Sequence, residues 1–147
     1  MNFTLTINTD GKSIFKSSKT SIWPIYLTIN QIKKNERFKL ANVINAGLWV
    51  SKYKPNFHFF LKPIINQLKI LENGLGDKIL RFFLNHGVFD KPARAAILNT
   101  NYHYDRPKRA HDMYVFYVEK AIEENNGPCL LSDLKFYFPI ESTREYL

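Results

Sequence analysis

The chain has 147 residues, of which 45% are hydrophobic and 15% aromatic, enough apolar side chains for one globular domain with a packed core. This composition excludes a disordered or low-complexity chain. The 21 Lys and Arg residues against 13 Asp and Glu give a formal net charge of +8, which favours a polyanionic partner such as nucleic acid.

The positive charge is concentrated in the N-terminal half of the chain. Residues 1–69 carry 11 Lys and Arg and two acidic residues, whereas residues 70–147 carry 10 and 11. A separate basic cluster follows at Arg106, Lys108 and Arg109. Such a charge distribution is either an ordinary solvated surface or a surface that contacts phosphates.

Cysteine content and the N-terminus bear on the cellular compartment. The single cysteine, Cys129, cannot form an internal disulfide or build a structural zinc site alone. The N-terminus lacks the pattern of a signal peptide, and no window approaches about 18 uncharged apolar residues. We therefore expect an intracellular protein that does not span a membrane, and a nuclear location is compatible with this expectation.

The first 32 residues predict a three-stranded antiparallel meander. Residues 3–9 alternate apolar and polar side chains, the period of a half-buried strand. Asp10-Gly11 is predicted to turn the chain, with a short second strand at 13–17 and a third at 22–32. Because proline cannot donate to a ladder, Pro24 predicts that the third strand lies at a sheet edge or begins at that residue.

The middle of the chain predicts a helix and then a buried strand. Residues 42–50 form either a strand or a packed loop, because no clear period is present. Residues 57–72 carry apolar side chains at steps of three and four, which predicts an amphipathic helix that Asn73-Gly74 ends and that Pro63 kinks or restarts. The almost continuously apolar residues 79–84 are typical of a central parallel strand covered on both faces.

Asp90 is expected at the junction between a strand and a helix. It directly precedes a lysine, a proline and an alanine-rich run, which is the arrangement of a helix N-terminus. Arg94, one turn into that helix, is expected to pair with Asp90. Residues 111–124 are expected to be helical, although 113–118 are apolar on all sides and would also suit a strand.

The order of these elements predicts the fold class. Antiparallel meander, helix, buried parallel strand and helix is the order of a ribonuclease H-like fold, an α/β fold with a mixed sheet and flanking helices. Asp10 and Asp90 close the first and the central strands, whose ends are expected to be neighbours. Because reactive groups in open α/β sheets gather beyond the carboxyl ends of the strands, both carboxylates are candidates for one divalent-cation site.

Several short stretches, in a fixed order, carry a resemblance to a known family. They are Asn8-Thr9-Asp10-Gly11, Phe15-Lys16-Ser17-Ser18, Trp23-Pro24-Ile25, Ile29-Asn30, Arg37-Phe38-Lys39, Ala46-Gly47-Leu48-Trp49, Lys54-Pro55, Phe60-Leu61-Lys62-Pro63 and Asp90-Lys91-Pro92-Ala93-Arg94-Ala95. With these stretches the chain resembles the DDE-type transposase-derived proteins of animal genomes related to the CACTA superfamily. The resemblance spans roughly residues 5–107.

The resemblance implies a partial ribonuclease H-like transposase core in residues 1–107, and we expect residues 108–147 to be a helical C-terminal extension. It also implies that Asp10 and Asp90 are the first and second metal-binding acids, with Mg²⁺ as cofactor and DNA as partner. In such enzymes two metal ions clamp the attacking and leaving oxygens of an in-line phosphoryl transfer. The basic residues expected to contact phosphates are Lys12, Lys16, Lys33, Lys34, Arg106, Lys108 and Arg109.

Three departures from the family predict a truncated core without efficient strand-transfer activity. The family follows its second acid with a Cys-x-x-Cys zinc knuckle, whereas residues 99–107 contain no cysteine, so no zinc is expected. The third acid of the family lies on a later helix, and residues 141–147 correspond to a stretch that precedes it. The family carries a separate DNA-binding region before the core, and no such region is expected ahead of the first strand here. A core incomplete at its C-terminus would leave sheet edges open for self-association.

Each candidate residue also has a structural interpretation. Asp10 is either a turn residue or a metal ligand, and Asp90 is either a helix cap or a ligand. Glu119 and Glu123 lie on either a solvated helix face or a helix that replaces the missing third acid. The expected function is an inactive transposase-like domain, and the alternatives are a domesticated nucleic-acid-binding module and a protein-interaction fragment.

Overall fold

The computed structural model describes residues 1–14, 19–76, 79–97 and 130–134, which form an α/β fold around one open mixed sheet. The strands are β1 (Asn2–Thr9), β2 (Lys12–Ser13), β3 (Ser21–Ile29), β4 (Val43–Ser51) and β5 (Arg81–Phe89). The α-helices are α1 (Lys34–Arg37), α2 (Phe57–Asn73) and α3 (Lys91–Ile97), and short 3₁₀ helices lie at Leu40–Asn42 and Leu130–Asp133.

The sheet is mostly antiparallel, with one parallel pair. β3 pairs antiparallel with β1 and β2 along one edge and with β4 along the other, and β5 pairs parallel with β1. The parallel strand was expected at 79–84 in the centre of the sheet. It lies instead at Arg81–Phe89 and is the last strand on its side of the described sheet. Of its nine residues only Leu84 is buried, so burial on both faces is not observed in the described part of the chain.

The prediction that Asp10-Gly11 turns the chain is wrong. Thr9 pairs with Ile25 and Lys12 pairs with Ile22, so β1 and β2 keep one register along the same edge of β3. They are therefore one strand with an interruption at residues 10 and 11. The chain reverses later, between Ile14 and Thr20, whose backbone groups bond at 3.1 Å. Most of the predicted strand at 13–17 falls on residues 15–18, outside the described residues.

Pro24 lies inside an inner strand, contrary to the prediction of a sheet edge or a strand start. The backbone N–H of Asn30 donates to the carbonyl oxygen of Thr4, and the backbone N–H of Ile14 donates to that of Thr20. These two bonds identify the residue pairs that are hydrogen-bonded along this edge of β3. Because such pairs alternate along an antiparallel ladder, position 24 faces position 10 in a hydrogen-bonding pair. Proline has no N–H to donate there. The interruption of the long strand at Asp10-Gly11 thus lies opposite the missing donor.

The third strand of the meander is β4, within the segment for which a strand and a packed loop were both left open. It pairs with β3 from Ser21–Ser51 to Thr28–Val43, with a register shift between Ile25 and Tyr26. The observed meander is therefore the β1–β2 strand, β3 and β4. Among the described strands, β4 has no partner on its outer edge.

Helix α2 covers one face of the sheet and confirms the predicted amphipathic helix. Its buried side chains pack against alternate residues of β1, β3 and β5; the cluster includes Leu5, Ile7, Trp23, Ile25, Leu27, Phe57, Leu61, Ile64, Ile65, Leu68 and Leu84. Asn56 caps its start by accepting hydrogen bonds from the backbone of His58 and Phe59. Gly74, at φ 113°, ends it, and the helix continues through Pro63.

The described residues near the C-terminus pack on the same core. Leu131 and Leu134 are buried, and Lys69 of α2 forms an ion pair of 2.8 Å with Asp133. The predicted helix at 111–124 and the zinc-knuckle region at 99–107 lie outside the described residues. No helix in the described part of the chain is both long and apolar enough to cross a membrane.

Candidate nucleic-acid interface and acid pair

Asp10 and Asp90 lie next to each other at one end of the sheet. The last parallel pair joins Thr9 of β1 to Phe89 of β5, and each acid is the next residue of its strand. Neighbouring strands are about 4.8 Å apart, so the two backbones bring the acids to adjacent positions. Both residues are exposed. The expected neighbourhood of the two strand ends is therefore present.

Asp90 caps helix α3. Its Oδ1 accepts a hydrogen bond of 2.8 Å from the backbone N–H of Ala93, and its carbonyl accepts one of 2.9 Å from the backbone N–H of Arg94. This is the geometry of an N-cap residue, whose carboxylate also interacts favourably with the helix dipole. The cap occupies one carboxylate oxygen and turns it towards α3. The expected ion pair between Asp90 and the Arg94 side chain stays a prediction.

Four exposed lysines share this end of the sheet. Lys12 lies in β2, Lys19 leads into β3, and Lys52 and Lys54 follow the end of β4. The pairs Lys12–Ile22 and Ser21–Ser51 place these three chain segments side by side, beyond Asp10 along the β1–β2 strand. We call this group the lysine end. No ion pair joins any of these four lysines to another described residue.

The other predicted phosphate contacts are placed differently. Lys33 and Lys34 are exposed but follow the opposite end of β3, away from Asp10. Lys16, Arg106, Lys108 and Arg109 lie outside the described residues. Of the seven, only Lys12 is therefore seen beside the acid pair.

A groove of about 340 Å³ lies on the sheet face opposite α2. Asn8 of β1 and Val88 of β5 line it beside Tyr26 of β3, and Arg37 and Phe38 from the α1 segment complete it. The lining is mostly apolar, and Phe38 is 67% exposed. The groove therefore offers an aromatic surface to solvent.

Hydrogen bonds hold the walls of this groove. The Asn8 side chain donates to the carbonyl oxygen of Val88 at 2.9 Å and so joins β1 to β5 immediately before the two acids. The Arg37 guanidinium donates to the carbonyl oxygens of Asn30 and Ile32, the latter at 3.0 and 3.1 Å. These bonds fix the α1 segment against the sheet, so the groove is a formed feature of the fold.

The acid pair has the donor chemistry of a hard-cation site. Carboxylate oxygens are the ligands that Mg²⁺ prefers. Within the described residues no group of three His, Cys, Asp or Glu side chains is placed to hold a metal ion. Glu119 and Glu123, the candidates for a third acid, lie outside those residues.

The two interpretations of Asp90 can be separated by two substitutions. Asp90→Ala is expected to lower the free energy of unfolding by about 1 kcal/mol, because the cap is lost. Asp90→Asn is expected to leave stability nearly unchanged, since asparagine caps equally well but carries no charge. Chemical denaturation followed by circular dichroism, with and without Mg²⁺, measures both. If Mg²⁺ stabilises the wild type and fails to stabilise Asp90→Asn and Asp10→Asn, the acids are ligands as well; equal Mg²⁺ responses in all three would contradict a metal role.

Sequence reasoning did not select Lys19, Lys52, Lys54 or the groove. Lys52 and Lys54 are about 40 residues from Lys12 along the chain, and only the pairing of β4 with β3 brings them together. Basic residues directly follow the apolar run at 42–50. If that run is taken as a strand, they indicate positive charge at the end of the sheet.

Comparison with known proteins finds no family model that matches the chain, no matching curated protein and no matching solved structure.

Proposed function

We propose that this chain is a nucleic-acid-binding domain of transposase type, in which the lysine end holds the phosphate backbone and Asp10 and Asp90 are the remnant of a divalent-metal site. The single observation that carries the proposal is that four lysines, none in an ion pair with another described residue, and two acids at adjacent strand positions lie at the same end of the sheet. DNA is the proposed partner, and a nuclear location follows from it.

The charge arrangement supports phosphate binding over a general solvated surface. Ordinary surfaces intersperse charges of both signs. The segments that carry Lys12, Lys19, Lys52 and Lys54, residues 11–24 and 50–56, contain no acidic residue. Asp10, which with Asp90 would bind a cation, directly precedes the first of these segments. Positive groups that hold a phosphate backbone next to a cation site are what metal-dependent phosphoryl transfer requires.

The fold supports a ribonuclease H-like ancestry. The element order is an antiparallel meander, a helix, a strand parallel to the first and a further helix, as in that fold. Asp10 and Asp90 follow the two strands of the parallel pair, the positions at which the resemblance to DDE-type, CACTA-related transposases places its first two acids. We propose the same ancestry for this chain.

The acid pair fits Mg²⁺ in donor type, and we propose that it does not support efficient strand transfer. When bound, the ion would supply Lewis-acid stabilisation of a phosphate oxygen. Asp10 and Asp90 would be the residues that hold it. Within the described residues no third acidic side chain joins the pair, whereas the DDE-type core uses three acids.

Binding of a fluorescein-labelled 20-base-pair duplex, measured by anisotropy at increasing salt, tests the proposal. Four lysine–phosphate contacts predict a salt slope near −3.6, so affinity should fall about 100-fold between 50 and 200 mM salt. Binding that is undetectable at low salt, or independent of salt, contradicts the proposal. Robust Mg²⁺-dependent nicking of the duplex, abolished by Asp10→Ala and by Asp90→Ala, would contradict the proposed inactivity.

A further inference from the structure

We infer that the groove on the open sheet face is a subsite for an unpaired nucleobase, so that the domain prefers nucleic acid with a single-stranded nucleotide next to the acid pair. This inference rests on the proposed function and deepens it, because it specifies the substrate class of the same site. Its basis is the continuity between the groove and the acids.

The two inner walls of the groove lead directly to Asp10 and Asp90. Asn8 and Val88 line the groove, and each acid follows two residues later on the same strand. Two residues of an extended strand span about 7 Å. A base in the groove therefore places its own phosphodiester beside the acids. Asn8, Asp10 and Lys12 are alternate residues of the β1–β2 strand, so Lys12 lies beyond the acids on the same face of the sheet.

The lining suits the flat face of a base. Phe38 is 67% and Tyr26 is 37% exposed, although both are large aromatic side chains. Base–aromatic stacking is the usual way in which proteins hold unpaired nucleotides, and it tolerates different sequences because every base has a π face. In a duplex the base faces are stacked on each other and unavailable, so the groove discriminates against duplex.

Charge complementarity selects nucleic acid over an apolar peptide. Arg37 lines the groove, and Glu36, the acidic residue of the α1 segment, is paired with Lys39 at 2.7 Å. Lys12 and the rest of the lysine end continue the positive surface past the acids. A nucleotide matches this surface: its base is aromatic in the groove, and its phosphate would be held through a divalent cation on the acids and by Lys12 beyond them.

The test compares a labelled single-stranded 20-mer, the duplex of the same sequence and an abasic deoxyribose-phosphate chain of equal length. Anisotropy is measured for the wild type, Phe38→Ala and Tyr26→Ala. Phe59→Ala is the matched control, because Phe59 is 69% exposed but belongs to α2, on the other side of the sheet. We expect each groove substitution to weaken single-strand binding about 10-fold and to leave duplex and abasic-chain binding unchanged, with Phe59→Ala equal to the wild type.

Two results would overturn the inference. One is equal affinity of the wild type and Phe38→Ala for the single strand. The other is single-strand binding no tighter than duplex binding, together with a lower melting temperature of Phe38→Ala, which would show that another segment of the chain covers this face. If duplex binding persists in either case, only the groove assignment fails. If no nucleic acid binds at low salt, the proposed function itself fails.

Discussion

Replacing Lys12, Lys19, Lys52 and Lys54 together with glutamine is expected to weaken duplex DNA binding about 100-fold near 0.15 M salt and to bring the salt slope close to zero. Each lysine that neutralises a phosphate releases condensed counterions, so four contacts contribute a slope of about −3.6. Glutamine keeps most of the side-chain length and removes the charge. All four residues are exposed, and the substitutions should leave the unfolding free energy within about 0.5 kcal/mol of the wild type.

A control variant of equal charge distinguishes a site from the general charge of the protein. Lys33, Lys34, Lys39 and Lys62 are also exposed, but they lie on α1, the loop after it and the outer side of α2, away from Asp10. Their joint replacement by glutamine should cost less than about 5-fold in affinity, because only the long-range field changes. Equal losses in the two variants would show that DNA follows net charge and that the lysine end is not the interface.

Sequence analysis predicted the parts of the fold in which buried side chains recur at a regular spacing along a short stretch of chain. β1 alternates around Leu5 and Ile7, and α2 repeats at steps of three and four, because each faces one side of one layer. The helix start after Asp90 was also predictable, since capping depends on a few neighbouring residues. These features depend on short stretches of chain and needed no knowledge of distant partners.

The segment at β4 could not be assigned from its own pattern. The register shift between Ile25 and Tyr26 interrupts its alternation, so inward positions do not follow one period. A Cβ added at Gly47 would lie 3.2 Å from side-chain atoms of Ile64 and Phe60 of α2, a close approach that only the folded chain defines. Both features depend on tertiary contacts. Both lie in β4, the strand whose end places Lys52 and Lys54 at the lysine end.

The position of the acid pair could be predicted from the sequence, whereas the groove could not. Asp10 and Asp90 were predictable as neighbours because a parallel pair of strands determines where both strands end. The groove depends on Phe38 and Arg37, which reach the sheet through hydrogen bonds from Arg37 to Asn30 and Ile32. Nothing in the local sequence of the α1 segment indicates which face of the sheet it covers.

Gly11→Ala is expected to destabilise the fold by about 2 kcal/mol, although the same change usually stabilises a protein where the backbone allows it. A Cβ at position 11 would lie 2.3 Å from Cζ2 and 2.4 Å from Cε2 of Trp23. The indole is buried and packs edge-on against Phe57, with ring centroids 5.7 Å apart, so it cannot move aside without disturbing the core. Urea unfolding followed by far-UV circular dichroism measures the loss.

Two further variants assign the loss at position 11 to this contact. Gly76→Ala is the control for backbone strain alone, because Gly76 has φ 65° and no atom within 4 Å of the added Cβ; we expect a cost of about 1 kcal/mol. Trp23→Phe removes ring atoms that the new methyl group meets, so Gly11→Ala should cost about 1 kcal/mol less in that background, a coupling that a double-mutant cycle isolates. Stabilisation by Gly11→Ala in the wild-type background would instead mean that the indole does not cover residue 11.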